Sequence, residues 1–152
     1  QFGDGLEAAI ALSIVGEGMP LIYNGQEAGN EKRLEFFEKD PIQWKESEIG
    51  DLYKKLFALM KENTALWHGT DGARMQKVPN SSELEILSFV RENDSDKVFA
   101  VFNFSVKEQN ATFRDDLHHG NYSNYLTGES IEITAESEII LKPWDYRVFV
   151  AE

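Results

Sequence analysis

The segment best placed for chemistry is Tyr23-Asn24-Gly25-Gln26-Glu27, because it directly follows the short apolar run Met19–Tyr23. In parallel α/β folds, side chains at the carboxyl ends of strands line the active site. There Tyr23 can stack on a substrate ring, Gln26 can bind polar groups, and Glu27 can act as an acid, a base or a hydrogen-bond acceptor. The simpler reading is that Gln26 and Glu27 only hold their own loop by hydrogen bonds. Other polar clusters carry less. His118-His119 could ligate a metal, but adjacent histidines in a loop are usually solvated. Asp115-Asp116 reads as a surface turn. Asn93-Asp94-Ser95-Asp96 lacks the glycine and closing glutamate of a calcium loop and reads as a hairpin turn. The sequence has no GxSxG, P-loop, HExxH or GxGxxG string and no cysteine, which excludes disulfides and thiolate chemistry. No metal or other cofactor is expected.

The elements that must position these residues fall into two grammars. Residues 6–15 (LEAAIALSIV) predict a helix that is apolar nearly all round and so needs cover on most of its surface. Gly16 and Gly18 end it, and Met19–Tyr23 then predicts a buried strand opened by Pro20. A long polar loop follows. Ile49, Leu52, Tyr53, Leu56 and Met60 form the core stripe of a helix over 50–63. Gly69 and Gly72 mark a break between Trp67 and Ala73. Beyond it, Ile86–Glu92, Lys97–Phe104, Ile131–Thr134, Glu138–Lys142 and Tyr146–Val150 predict short antiparallel strands. The run 97–104 is apolar on both faces and belongs at the centre of a sandwich. The domain reading is therefore 1–69 as an α/β segment and 70–152 as an all-β antiparallel domain.

The chain has 152 residues, 41% hydrophobic and 28% charged, with a net charge of -12. That is enough for one ordinary domain and speaks against disorder. A surface this acidic repels phosphate backbones, which disfavours a nucleic-acid partner, and the even spread of the acid excess leaves no acidic tail. No apolar run approaches a membrane span. The chain starts at Gln1 and enters a helical pattern at once, which reads as a cut end of something longer. Without neighbours, the strand 19–23 and the helix 6–15 would be sticky. A second copy of the chain is the favoured cover, the β domain folded back the other, so a homo-oligomer is expected.

Gly18-Met19-Pro20-Leu21-Ile22-Tyr23-Asn24-Gly25-Gln26-Glu27-Ala28-Gly29 resembles the segment carrying the eighth barrel strand in the alpha-amylase family, glycoside hydrolase family 13. Lys39-Asp40-Pro41-Ile42-Gln43-Trp44 is similar to that family's R-x-P-M-x-W stretch, with Lys39 in place of Arg. Residues 53–66 are similar to its eighth barrel helix, and Leu141–Phe149 to the closing strands of its C-terminal domain. The resemblance implies an α+β chain: the seventh helix, eighth strand and eighth helix of a TIM barrel in 1–69, then a Greek-key β sandwich in 70–152. It implies a parent enzyme that acts on α-glucosidic bonds of starch, maltooligosaccharides or related α-glucans, with retention through a glycosyl-aspartate. The family's nucleophile Asp, acid/base Glu and second Asp all precede the matched segment, so no catalytic carboxylate maps onto this chain. Tyr23, Gln26 and Glu27 are then substrate-binding candidates. The competing reading is a non-catalytic carbohydrate-binding or structural β module, with Tyr122, Tyr125 and Trp144 as aromatic candidates for stacking on sugars.

Overall fold

The computed structural model describes residues 3–35 and 37–152. Helix α1 spans Leu6–Val15 and α2 spans Glu48–Glu62. The side chain of Ser47 caps α2 by accepting a hydrogen bond from the Gly50 N–H, satisfying one of the free amides of its first turn. Helical structure ends with a short 3-10 turn at Thr64–Leu66. Eight strands follow among the described residues: β1 (Gln76–Lys77), β2 (Ile86–Glu92), β3 (Lys97–Asn103), β4 (Gln109–Thr112), β5 (Gly120–Asn124), β6 (Ser130–Ile133), β7 (Glu138–Leu141) and β8 (Tyr146–Ala151). They make a six-stranded sheet in the order β1-β2-β3-β8-β5-β6 and a two-stranded sheet of β4 and β7, antiparallel throughout.

The alternation along β3 divides two cores. Phe99 and Val101 point between the sheets, where they meet Val90, Phe113, Tyr122, Ile139, Leu141 and Phe149. Val98, Ala100 and Phe102 point the other way and meet α1 and α2 through Ile10, Ile14, Leu56 and Leu59. The run 97–104 is apolar on both faces for this reason: a sheet covers one face and two helices cover the other. Phe102 stacks among Phe89, Phe104 and Tyr146 at centroid distances of 5.7–6.1 Å.

This arrangement corrects the expectation that a second copy covers α1. Ile10 and Ile14 are buried within the single chain by α2 and the outer face of the six-stranded sheet. Burying each such side chain contributes about 1.5–3 kcal/mol, and no second copy is needed to gain it. The expected strand Met19–Tyr23 is also corrected: the segment is not a strand and pairs with none of the described strands. Met19 is 81% exposed and Leu21 85%. A run like this becomes a strand only when a neighbouring strand takes its N–H and C=O groups. The second helix begins two residues earlier than its stripe predicts, at the Ser47 cap.

Arg91 locks the helical part to the sandwich. It is 1% exposed. Its Nε donates to Ala73 O at 2.9 Å, Nη1 to Gly16 O at 2.7 Å and more distantly to Val15 O and Leu66 O, and Nη2 to Trp67 O at 2.8 Å. The guanidinium thus takes carbonyls left free at the ends of α1 and of the Thr64–Leu66 turn, where the helix dipole favours a cation. Burial pulls its pKa below the usual arginine value, and the nearby Glu17 carboxylate opposes that shift. Gly72 completes the cage: a Cβ there would lie 1.8 Å from Trp67 O. A second seam is Trp144, whose ring packs so closely on Gly5 that a Cβ at Gly5 would sit 2.9 Å from it. Trp144 holds a φ of 60°, a costly conformation for an aromatic residue, and its N–H donates to Ser105 O.

Candidate functional site

Gly25 opens the 3-10 turn Gln26–Ala28 with a φ of 92°, and Gly29 closes it with a φ of 67°. Both values favour glycine. The Gln26 N–H donates to Tyr23 O at 2.9 Å, and the Tyr23 N–H donates to Gln26 Oε1 at 2.9 Å. The Gly25 N–H donates to Glu27 Oε2 at 3.1 Å. Ser47 Oγ donates to Glu27 O at 2.8 Å, which ties the turn to the start of α2. Each of the two polar candidates therefore spends one side-chain oxygen on its own loop. The Gln26 amide nitrogen and the second Glu27 oxygen have no hydrogen bond to the turn, and the Tyr23 ring is 64% exposed.

The three candidates do not share one cavity. Tyr23 and Gln26 line an open cleft with Asn30, Lys32, Arg33 and Glu35. Glu27 lines a groove with Ile22, Trp44, Tyr53 and Phe57. The Tyr23 side offers an aromatic face, an amide and several charged groups, a set suited to binding a polyhydroxylated ligand. The loop beyond it is held by Asp40, which pairs with Lys32 at 2.5 Å and accepts from the Glu35 N–H at 3.0 Å. The hydrogen bond from Lys32 holds the Asp40 carboxyl below its usual pKa.

The aromatic candidates of the sandwich are not a sugar platform. Tyr122 is fully buried between the sheets, and burial raises its pKa well above the usual phenol value. The Tyr125 hydroxyl donates to Lys55 O at 3.0 Å, tying the sandwich to α2. Trp144 is the seam against Gly5. Among the described residues the large exposed apolar side chains beyond residue 80 are Leu84, Val106, Ile131 and Ile140, none of them aromatic.

His118 departs from expectation. It is fully buried, packed 5.1–5.4 Å from the rings of Phe113 and Phe99, with neither ring nitrogen hydrogen-bonded. Burial, with His119 and Lys97 nearby, lowers its pKa to about 4. The apolar inner core, not solvent, decides its state. No group of three or more metal-ligating side chains occurs among the described residues. Asn93 and Asp96 serve the β2–β3 turn: Asn93 Oδ1 accepts from the Ser95 and Asp96 N–H groups, and Asp96 accepts from the backbone and hydroxyl of Thr64. The sequence reading missed Arg91. A charged residue inside an otherwise apolar strand was the available signal.

Residues 79–148 match the family model described as the alpha amylase C-terminal all-beta domain. An Alpha-amylase 2 of Dictyoglomus thermophilum is 31% identical over 126 residues, covering 71% of this chain and 21% of that protein. A 1,4-alpha-glucan branching enzyme of Francisella philomiragia is 34% identical over 153 residues, covering 90% of this chain and 23% of that protein. The chain thus spans about a fifth of the length of the curated relatives it matches. Among solved structures, a maltogenic alpha-amylase of Thermotoga neapolitana superposes with a TM-score of 0.81 at 18% identity, over 97% of this chain and 36% of that one. An Anoxybacillus alpha-amylase gives 0.77 at 18% identity, over 95% and 31%.

Proposed function

We propose, for a chain whose residues 79–148 match the alpha amylase C-terminal all-beta domain, that it serves as the non-catalytic carboxyl-terminal part of an enzyme acting on α-glucans such as starch or maltooligosaccharides. The division into a barrel-derived part, 1–69, and a β sandwich, 70–152, belongs to this reading. The sandwich braces the helical part through Arg91 and the shared core. The turn at residues 23–27 supplies one wall of the sugar cleft, with Tyr23 and Gln26 facing the ligand and Glu27 holding the turn. The observation that carries the reading is the match of residues 79–148 to the all-beta C-terminal domain model; the Glu27 carboxylate accepts the Gly25 N–H, a contact that supports its own turn. The exposed side chains of Met19 and Leu21 are the surface by which the chain meets another polypeptide, a second copy included.

The test is an assay of the purified chain on starch, maltooligosaccharides and aryl α-glucosides, with NMR titration of maltotriose alongside. Turnover equal to the blank, with shifts confined to the surroundings of Tyr23 and Gln26, supports the reading. Turnover abolished by Glu27→Gln but not by a surface control overturns it.

A further inference from the structure

We propose that Asn24 is a site of spontaneous succinimide formation, and that the Glu27 carboxylate restrains its rate. Asn24-Gly25 is the single Asn-Gly pair in the sequence. Asn24 is exposed and sits in the turn. Glycine on its carboxyl side has no Cβ to obstruct attack by the backbone nitrogen. The Gly25 amide nitrogen must lose its proton to solvent base before it attacks Asn24 Cγ. The N–Cγ bond then forms, the Cγ–Nδ2 bond breaks, and ammonia leaves. Water opens the ring at one of two carbonyls, giving aspartate or isoaspartate, with no change in oxidation state.

The Gly25 N–H donates to Glu27 Oε2 at 3.1 Å. A hydrogen bond from a donor to an anion favours the protonated donor. The carboxylate therefore opposes the first step and holds the nitrogen toward itself. The product has consequences for the turn. Aspartate adds a negative charge beside Glu27. Isoaspartate lengthens the backbone by one carbon inside the loop closed by the Gln26 N–H to Tyr23 O bond, and so displaces both cleft-facing residues. This inference rests on the turn's geometry alone and stands whatever ligand the cleft takes.

The experiment incubates the full chain, Glu27→Ala and Asn24→Gln in mildly alkaline buffer and follows them by peptide mapping and isoaspartate assay. Asn24 should convert before any other asparagine, and Asn24→Gln should remove the signal. Glu27→Ala should speed conversion roughly three- to tenfold, the net worth of one ordinary hydrogen bond. In concentrated urea both chains should react at one, faster, rate. Equal rates for the folded chain and Glu27→Ala overturn the proposal, as does prior conversion of another asparagine. Should Glu27→Ala not fold, the wild-type chain decides: conversion no slower folded than in urea overturns the proposal.

Discussion

The stretch from Met19 to Trp44 and the body that flanks it are built on opposite terms. In the body, α1, α2 and the outer face of the six-stranded sheet share one core, and Arg91 binds carbonyls from three separate stretches of chain. In the stretch, Met19, Leu21, Tyr23 and Trp44 are exposed, and the side-chain hydrogen bonds of Gln26, Glu27 and Asp40 reach only near neighbours, while the bond from Ser47 Oγ to Glu27 O ties the turn to α2. Apolar residue types occur in both. What separates them is whether another element of the same chain offers its surface and backbone groups. The body therefore carries stability, and the stretch holds the residues of the proposed ligand wall.

Substitutions should break this contrast in graded steps. The largest effect is expected at Arg91. Arg91→Ala leaves the buried carbonyls of Gly16 and Ala73, and the half-buried one of Trp67, without their donor, and each buried orphan costs about 1–3 kcal/mol. A loss of about 4 kcal/mol or more should appear as a lowered urea midpoint. Phe102→Ala comes next, at about 3–5 kcal/mol, because the side chain is fully buried where sheet and helices meet. An effect below 1 kcal/mol there would mean that the outer face of the sheet is not a true core.

Acid should weaken the sandwich through His118. His118 titrates at about 4 in the fold against 6.5 when free, so the folded state prefers the neutral ring. A depressed histidine pKa contributes its stability above the unfolded value. That stability is lost as pH falls from 6.5 toward 4, by about 3 kcal/mol at the full shift. Lys97 and His119 add to the penalty for a charged ring, while Asp115 and Asp116 relieve part of it. Urea titrations at pH 7 and pH 4 should show the loss, and His118→Leu should flatten it. The smallest effect belongs to the stretch. Leu21→Ser should shift the urea midpoint within the scatter of a surface change, about 0.5 kcal/mol, yet reduce any self-association seen by light scattering.

Much of this was legible in the residues. The periodicity of α1 and α2 and the two apolar faces of β3 read correctly, because packing enforces both patterns. The strands β1, β4 and β5 did not, since each shows few apolar residues: Gln109–Thr112 buries only Ala111, and Gly120–Asn124 is mostly polar around Tyr122. Met19–Tyr23 has strand composition, but pairing is a property of neighbours that composition does not contain. At the candidate site, Tyr23, Gln26 and Glu27 were visible as a polar group after an apolar run. Their split between two cavities was not, because it depends on the paired left-handed glycines Gly25 and Gly29. His118 looked solvated because nothing local in Leu117-His118-His119 reveals that Phe99 and Phe113 close over it.

The shared core and the Arg91 cage should make the helices and the sandwich open as one cooperative unit, with the run 19–22 outside it. Native-state hydrogen exchange reads this directly, because each amide reports the opening that exposes it. Amides of Ile10–Ile14 in α1 and Phe99–Phe102 in β3 should exchange with the same opening free energy, equal to that of global unfolding, while those of Leu21 and Ile22 should be close to unprotected. An α1 that exchanges far more readily than β3 would contradict this and show that the helical part opens on its own.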